Sequence, residues 1–211
     1  AELAEAVAAI GKLVKHQAPT PPPIQVQKGV VSAILVTPLT LEGFPELEEV
    51  YVIEAGGDPQ AATFNYGMIV QQTKQLGQAM VLSPGKYDVI AQPRGGMRIA
   101  LIKNVEVKAR ETVKIHANRV AAALVMADPQ IEGMPEVKRL CAVPAGFSPK
   151  AATFNYGGVR QHGPGFGKPL LLTAEEPFDI VYEPVEGERV TIAENVRLEG
   201  GALTIYEGGV E

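Results

Sequence analysis

Tryptophan is absent from this sequence, cysteine occurs once and histidine three times, and aromatics make up only 6% of the residues. Each scarcity excludes something. One thiol, Cys141, allows no internal disulfide and leaves the redox compartment open. Its counterpart in the alignment below is Tyr51, inside an alternating run, so it reads as a buried, inert thiol. The histidines are His16, His116 and His162. No two have metal-ligand spacing and no cysteine accompanies them, so no metal site is assigned. No apolar run reaches about 18 residues, which excludes a membrane-spanning helix. Neither half carries a basic stripe, so nucleic acid and anionic membrane surfaces are poor partners and no nucleic-acid partner is expected. There is no Ser-His-Asp order with a nucleophile elbow and no cysteine next to a histidine. No catalytic residue and no cofactor are therefore assigned, and the expectation is a protein that is not an enzyme.

What is present is duplication. Ala-Ala-Thr-Phe-Asn-Tyr-Gly stands at 61–67 and again at 151–157, a shift of 90 residues. The same shift lays Glu42-Gly43 on Glu132-Gly133 and Ala55-Gly56 on Ala145-Gly146. With one residue of slippage, Asp88 meets Asp179, Arg98 meets Arg189, and Asn104-Val105 meets Asn195-Val196. The chain is two copies of one module of about 90 residues, the size of a small domain. The net charge of −5 is uneven: residues 28–117 balance, and the surplus of acid falls in the second copy, mostly from Glu175 onward.

Four regions follow. Residues 1–17 carry Leu3, Val7, Ile10 and Val14 at helical spacing and read as a short amphipathic α-helix. Residues 18–28, opening Ala-Pro-Thr-Pro-Pro-Pro, read as a Pro-rich linker, in which a flexible turn at Gln25–Lys28 would permit the helix to fold back. Residues 29–117 and 118–211 are the two repeats. Gly (22) and Pro (17) punctuate short Val/Ile/Leu runs, about seven per repeat, which predicts an all-β chain of two tandem seven-stranded antiparallel β-sandwich modules. In the first repeat the runs are Val30–Val36, Glu49–Glu54, Ala62–Gln71, Gln78–Leu82, Tyr87–Gln92, Arg98–Val107 and Thr112–His116. Almost no linker separates the repeats, so they are expected to abut end to end as a stiff rod. Two heptads cannot bury their own stripe. Leu3, Val7, Ile10 and Val14 are therefore expected to pack on a protein partner or a second copy, the competing arrangement being a fold back onto the first repeat.

Leu82-Ser-Pro-Gly-Lys-Tyr-Asp-Val-Ile90, then Lys103-Asn-Val-Glu-Val107 and Glu111-Thr-Val-Lys-Ile115, resemble prealbumin-like sandwich repeats, including the carboxypeptidase-regulatory-like and PEGA-type domains of bacterial envelope and secreted proteins. The second copy matches more loosely: Pro177-Phe-Asp-Ile180 lacks the Pro-Gly turn. The resemblance covers the last third of each copy and implies an Ig-like or prealbumin-like fold with a structural, non-catalytic role. More faintly, the Ala-rich helix before a Pro-rich linker is similar to the terminal helix of a von Willebrand A-type domain. The initial Ala is read as that of a secreted or envelope protein after signal-peptide removal, the alternative being a piece of a longer chain.

Thr63, Asn65, Thr153 and Asn155 are the candidate ligand-binding residues. In a strand they share one face, opposite Phe64 and Tyr66 or Phe154 and Tyr156. In one reading the rings are core anchors and Asn closes a local turn. In the other, Thr and Asn form a polar shelf for a small ligand, carbohydrate being possible, although the lack of Trp argues against sugar stacking. Glu175, Glu176, Asp179, Glu183 and Glu186 lack a calcium-loop pattern and read as a solvated acidic face. Gly163–Gly167 has the composition of a phosphate cradle but no following Lys-Ser/Thr, and reads as a long hairpin loop.

Overall fold

A computed structural model describes residues 22–61, 68–128, 135–150 and 158–207. The amphipathic stretch with Leu3, Val7, Ile10 and Val14 lies outside the described residues. So do the candidate shelf residues Thr63, Asn65, Thr153 and Asn155.

The described residues are all-β, with one helical turn. The first repeat supplies β1 (Ile24–Lys28), β2 (Ala33–Val36), β3 (Leu47–Glu54), β4 (Ile69–Thr73), β5 (Ala79–Val81), β6 (Gly85–Pro93), β7 (Ile99–Val107) and β8 (Glu111–Ile115). After the turn α1 (Ala117–Val120) come β9 (Ala121–Met126), β10 (Val137–Pro144), β11 (Gln161–Gly163), β12 (Pro169–Thr173), β13 (Phe178–Pro184), β14 (Val190–Val196) and β15 (Leu203–Tyr206). They form four sheets, in the orders β1-β8-β2-β5 and β4-β3-β6-β7, then β12-β9-β15 and β11-β10-β13-β14. Order and pairing repeat strand for strand, with one exception: among the described residues, β1 has no counterpart in the second repeat.

Two expectations are corrected. Residues Gln25–Lys28, placed in the linker, belong to β1, which pairs antiparallel with β8 from Ile24 opposite Ile115 to Lys28 opposite Glu111. The ladder bonds outweigh the weak strand signal of Ile-Gln-Val-Gln-Lys. The repeats are also not wholly antiparallel, because β2 runs parallel to β8, and β9 to β15. Periodicity reports that a strand exists, not the direction of its neighbour.

Strict alternation builds the cores. Ile34, Val36, Val113 and Ile115 from one sheet meet Val50, Val52, Val89 and Leu101 from the other in a single buried cluster. Leu124, Leu140, Leu172, Phe178 and Ile180 occupy the corresponding cluster of the second repeat. Each such side chain contributes about 1.5–3 kcal/mol on burial. The central strands are buried on their reverse faces too. Tyr51, Ile53 and Ile90 pack there in the first repeat, Cys141, Val143 and Val181 in the second. Cys141 is thus a free, buried thiol, as the sequence implied. Burial, with the Glu183 charge nearby, pushes it up to about 11, so it carries no thiolate at neutral pH.

The repeats interlock. Leu171 of β12 belongs to the first repeat's core cluster, and β7 lies against β12. The fully buried Gln161 side chain accepts the Met97 N–H (2.8 Å) and donates to the Met97 carbonyl (3.0 Å), as a neighbouring strand would. At α1, Asn118 accepts the Thr40 N–H at 2.8 Å and donates to the Thr40 hydroxyl at 2.7 Å. Gly200 and Gly201 allow the approach to α1. A Cβ on Gly200 would stand 2.2 Å from the Arg119 carbonyl oxygen, and one on Gly201 2.5 Å from that of Asn118.

Candidate functional site: the cleft between the repeats

A duplicated carboxylate organises the ends of the sheets. In each repeat the β6–β7 or β13–β14 ladder carries a bulge at the aspartate the alignment had paired: Asp88 lies in the register break between Tyr87 and Val89, Asp179 in that between Phe178 and Ile180. Across the break, Asn104 (φ 56°) and Asn195 (φ 52°) adopt the left-handed conformation, which Asn tolerates better than most residues. The bulge leaves their N–H groups without a ladder partner. Asp88 Oδ1 accepts the Asn104 N–H at 2.8 Å, and Oδ2 accepts that of Gly56 at 2.9 Å. Asp179 takes the N–H of Asn195 at 2.8 Å and of Gly146 at 2.7 Å.

The Gly56 turn opens onto a cleft of about 340 Å³ between the repeats. Asp58, Gln60, Arg98 and Lys103 line it from the first repeat, with Arg160, Thr173, Glu176 and Phe178 from the second. Gln60 donates to the Arg98 carbonyl oxygen, fixing the turn to β7. The Arg98 guanidinium lies 4.2 Å from the centre of the Tyr51 ring. Arg160 Nε stands 3.4 Å from Glu176 Oε1. Charges of both signs at the rim and an apolar floor of Ile99, Leu172 and Phe178 make a mixed surface that suits a small polar molecule better than a purely anionic one.

The acidic face expected from Glu175 to Glu186 is corrected at two positions. Asp179 is 6% exposed and Glu183 7%, because every residue of β13 is buried on one face or the other. Glu183 is ringed by Lys138 Nζ (3.0 Å), Arg189 (2.9 Å) and Arg139 Nε (3.6 Å). Burial would raise its carboxyl, but Lys138, Arg189 and Arg139 outweigh that and hold it below the ordinary range. His162 lies beside this cluster, opposite Cys141 in the β10–β11 ladder. Burial and the Arg139 charge lower its pKa against the opposing pull of Glu183. Gly163, placed in a loop by sequence, closes β11, and a Cβ there would stand 2.6 Å from Leu170 Cδ2.

The sequence paired Asp88 with Asp179, Asn104 with Asn195 and Arg98 with Arg189, but gave them no role. To Gln161 it likewise assigned no role. Their signal was the coincidence of Asp, Asn and Gly at matching offsets, which marks a conserved-by-duplication turn chemistry. Among the described residues, no three His, Cys, Asp or Glu side chains converge as for a metal ion, and no helix is long and apolar enough to cross a membrane. Comparison with protein-family models, with curated proteins and with solved structures finds no match to this chain.

Proposed function

We propose that this chain is a non-enzymatic structural or protein-interaction module of the cell envelope or exterior, built from two tandem Ig-like or prealbumin-like β-sandwich repeats. The observation that carries this reading is the duplicated aspartate. Of the polar groups repeated across the chain, Asp88 and Asp179 have both carboxylate oxygens committed to backbone N–H groups. Their chemistry goes into holding turns, not into a reaction. The envelope assignment rests on the sequence resemblance, and association through Leu3, Val7, Ile10 and Val14 belongs to the same proposal.

One observation favours a second reading, a carbohydrate- or small-ligand-binding module: the inter-repeat cleft, whose lining turn leads through Ala61 into the segment holding Thr63 and Asn65. A glycan and metabolite panel followed by calorimetry separates the two. The interaction reading expects no saturable ligand. Saturable binding that is lost in Lys103→Ala, or in the double variant Asn65→Ala/Asn155→Ala, would replace it.

A further inference from the structure

The repeats differ most at one sheet edge. In the first, β8 lies between β2 and β1; in the second, the equivalent β15 pairs with β9 on one side, and no described strand pairs with its other edge. The segment that would correspond to β1, immediately before β9, is already used as β8 and α1. The second repeat cannot cover this edge in the way the first does.

The edge is open in its chemistry as well. Ala123 N–H bonds the Ala202 oxygen and Ala127 N–H that of Tyr206, so even-numbered residues of β15 turn their amides to β9. Leu203 and Ile205 therefore present their N–H and C=O groups outward. In the first repeat Val113 pairs with Ile34, and in the second Thr204 pairs with Leu124. Since Ile34 and Leu124 correspond, Leu203 stands where the first repeat has Thr112, and Ile205 where it has Lys114. The covered edge thus carries Thr and Lys on its outer face, while the open one carries Leu and Ile. Ile205 is 61% exposed; Leu203, 38% exposed, leans its Cδ2 toward Gly43 of the first repeat. Natural open edges are normally blunted by charge, proline or a bulge. The strand Leu-Thr-Ile-Tyr has no charge and no proline.

We propose that β15 pairs antiparallel with β15 of a second copy across a two-fold axis, with Thr204 opposite the partner's Thr204. In this register Leu203 faces the partner's Ile205 in a hydrogen-bonded pair, and Ile205 faces the partner's Leu203, so both outer rows become apolar cross-strand contacts. Glu207 falls opposite the partner's Gly201, and no like charges meet. The antiparallel sense is that of β1 on β8. A self-complementary edge closes on two copies, whereas pairing with the Gln- and Lys-bearing β1 of another copy would set polar side chains against Leu203 and Ile205 and would propagate. This surface is a specific form of the interaction role proposed above.

Sedimentation equilibrium of the full chain at up to about 0.5 mM tests it. A dimer is expected, with its dissociation constant raised about tenfold or more in Ile205→Lys, which restores the first repeat's residue and should fold. Ile205→Pro, which removes an outward N–H used by no described strand of its own chain, should act likewise. Thr204→Cys reads the register. Non-hydrogen-bonded partners stand about 4.5 Å apart at Cα, within disulfide range, so mild oxidation should cross-link it while Leu203→Cys stays uncross-linked. A monomeric wild type, association indifferent to both Ile205 variants, or cross-linking of Leu203→Cys but not Thr204→Cys overturns the pairing. A monomer that nonetheless docks on another protein would sink the strand pairing and leave the interaction role standing.

Discussion

Asp179 repeats the bonding of Asp88 atom for atom: in each, Oδ1 takes the N–H of a left-handed Asn and Oδ2 that of a left-handed Gly. Removing either acid strands two partly buried N–H groups, each costing about 1–3 kcal/mol. Asp88→Ala and Asp179→Ala should therefore each lower stability by about 2–4 kcal/mol. Asp→Asn, which keeps one acceptor oxygen, should cost less. Urea unfolding monitored by circular dichroism checks this; a loss below about 0.5 kcal/mol in either Ala variant would show that the staple is ornamental.

The bulge itself gives a second expectation. Asn104 and Asn195 sit at φ 56° and 52°, where a residue with a Cβ and no local hydrogen bonding pays about 1 kcal/mol. Asn104→Ala should destabilise by about that amount, while Asn104→Gly should be close to neutral. The order Gly ≥ Asn > Ala in unfolding midpoints is the check, and Ala equal to Gly would contradict it.

How far these features could be read from the sequence differs by kind. The two copies and nearly all strands were legible because Val, Ile and Leu alternate and Gly or Pro punctuates most of the runs. β1 was not, since its short Ile24/Val26 alternation directly follows a run of prolines and was absorbed into the extended spacer; its pairing with β8 makes it a strand. The parallel partnership of β2 with β8 was invisible, because alternation carries no direction. Asp179 and Glu183 were read as solvent-facing since they lie in an acid-rich stretch. Yet β13 is covered on both faces, and a central strand buries even its charged residues when partners are at hand. Asp88 and Asn104 were visible as matching letters, but their contact spans a bulge that no periodicity announces.

Gln161 joins the repeats with one side-chain amide. Its loss leaves the Met97 N–H and carbonyl and the Leu171 carbonyl without their partner in a buried setting. Gln161→Ala should cost about 2–4 kcal/mol and loosen the interface. Scanning calorimetry should show one transition in the parent and a broadened or split one in the variant. Unchanged cooperativity would mean that Leu171 and the Asn118–Thr40 bonds suffice.

Acid should draw its loss of stability chiefly from the second repeat, because the charge pattern on the β3/β6 and β10/β13 faces has been exchanged. Where the first repeat has Glu49 and Gln92, the second has Arg139 and Glu183, with Lys138 and Arg189 adding to the cluster. The folded pKa of Glu183 is lowered, so its contribution is complete above the ordinary glutamate value of 4.5 and is lost as pH falls from there through the folded value. His162 adds a loss in the same direction at higher pH. Its folded pKa is also lowered, so the unfolded chain binds the extra proton first and stability declines as pH falls below 6.5. Glu183→Gln, matching the first repeat, leaves three cations around a neutral amide; it should destabilise the protein at pH 7 and flatten the dependence below 4.5. His162→Gln should remove the decline just below pH 6.5. Urea midpoints from pH 3.5 to 7.5 for the three proteins decide it, and parallel curves for parent and Glu183→Gln would mean that this carboxylate titrates alike folded and unfolded.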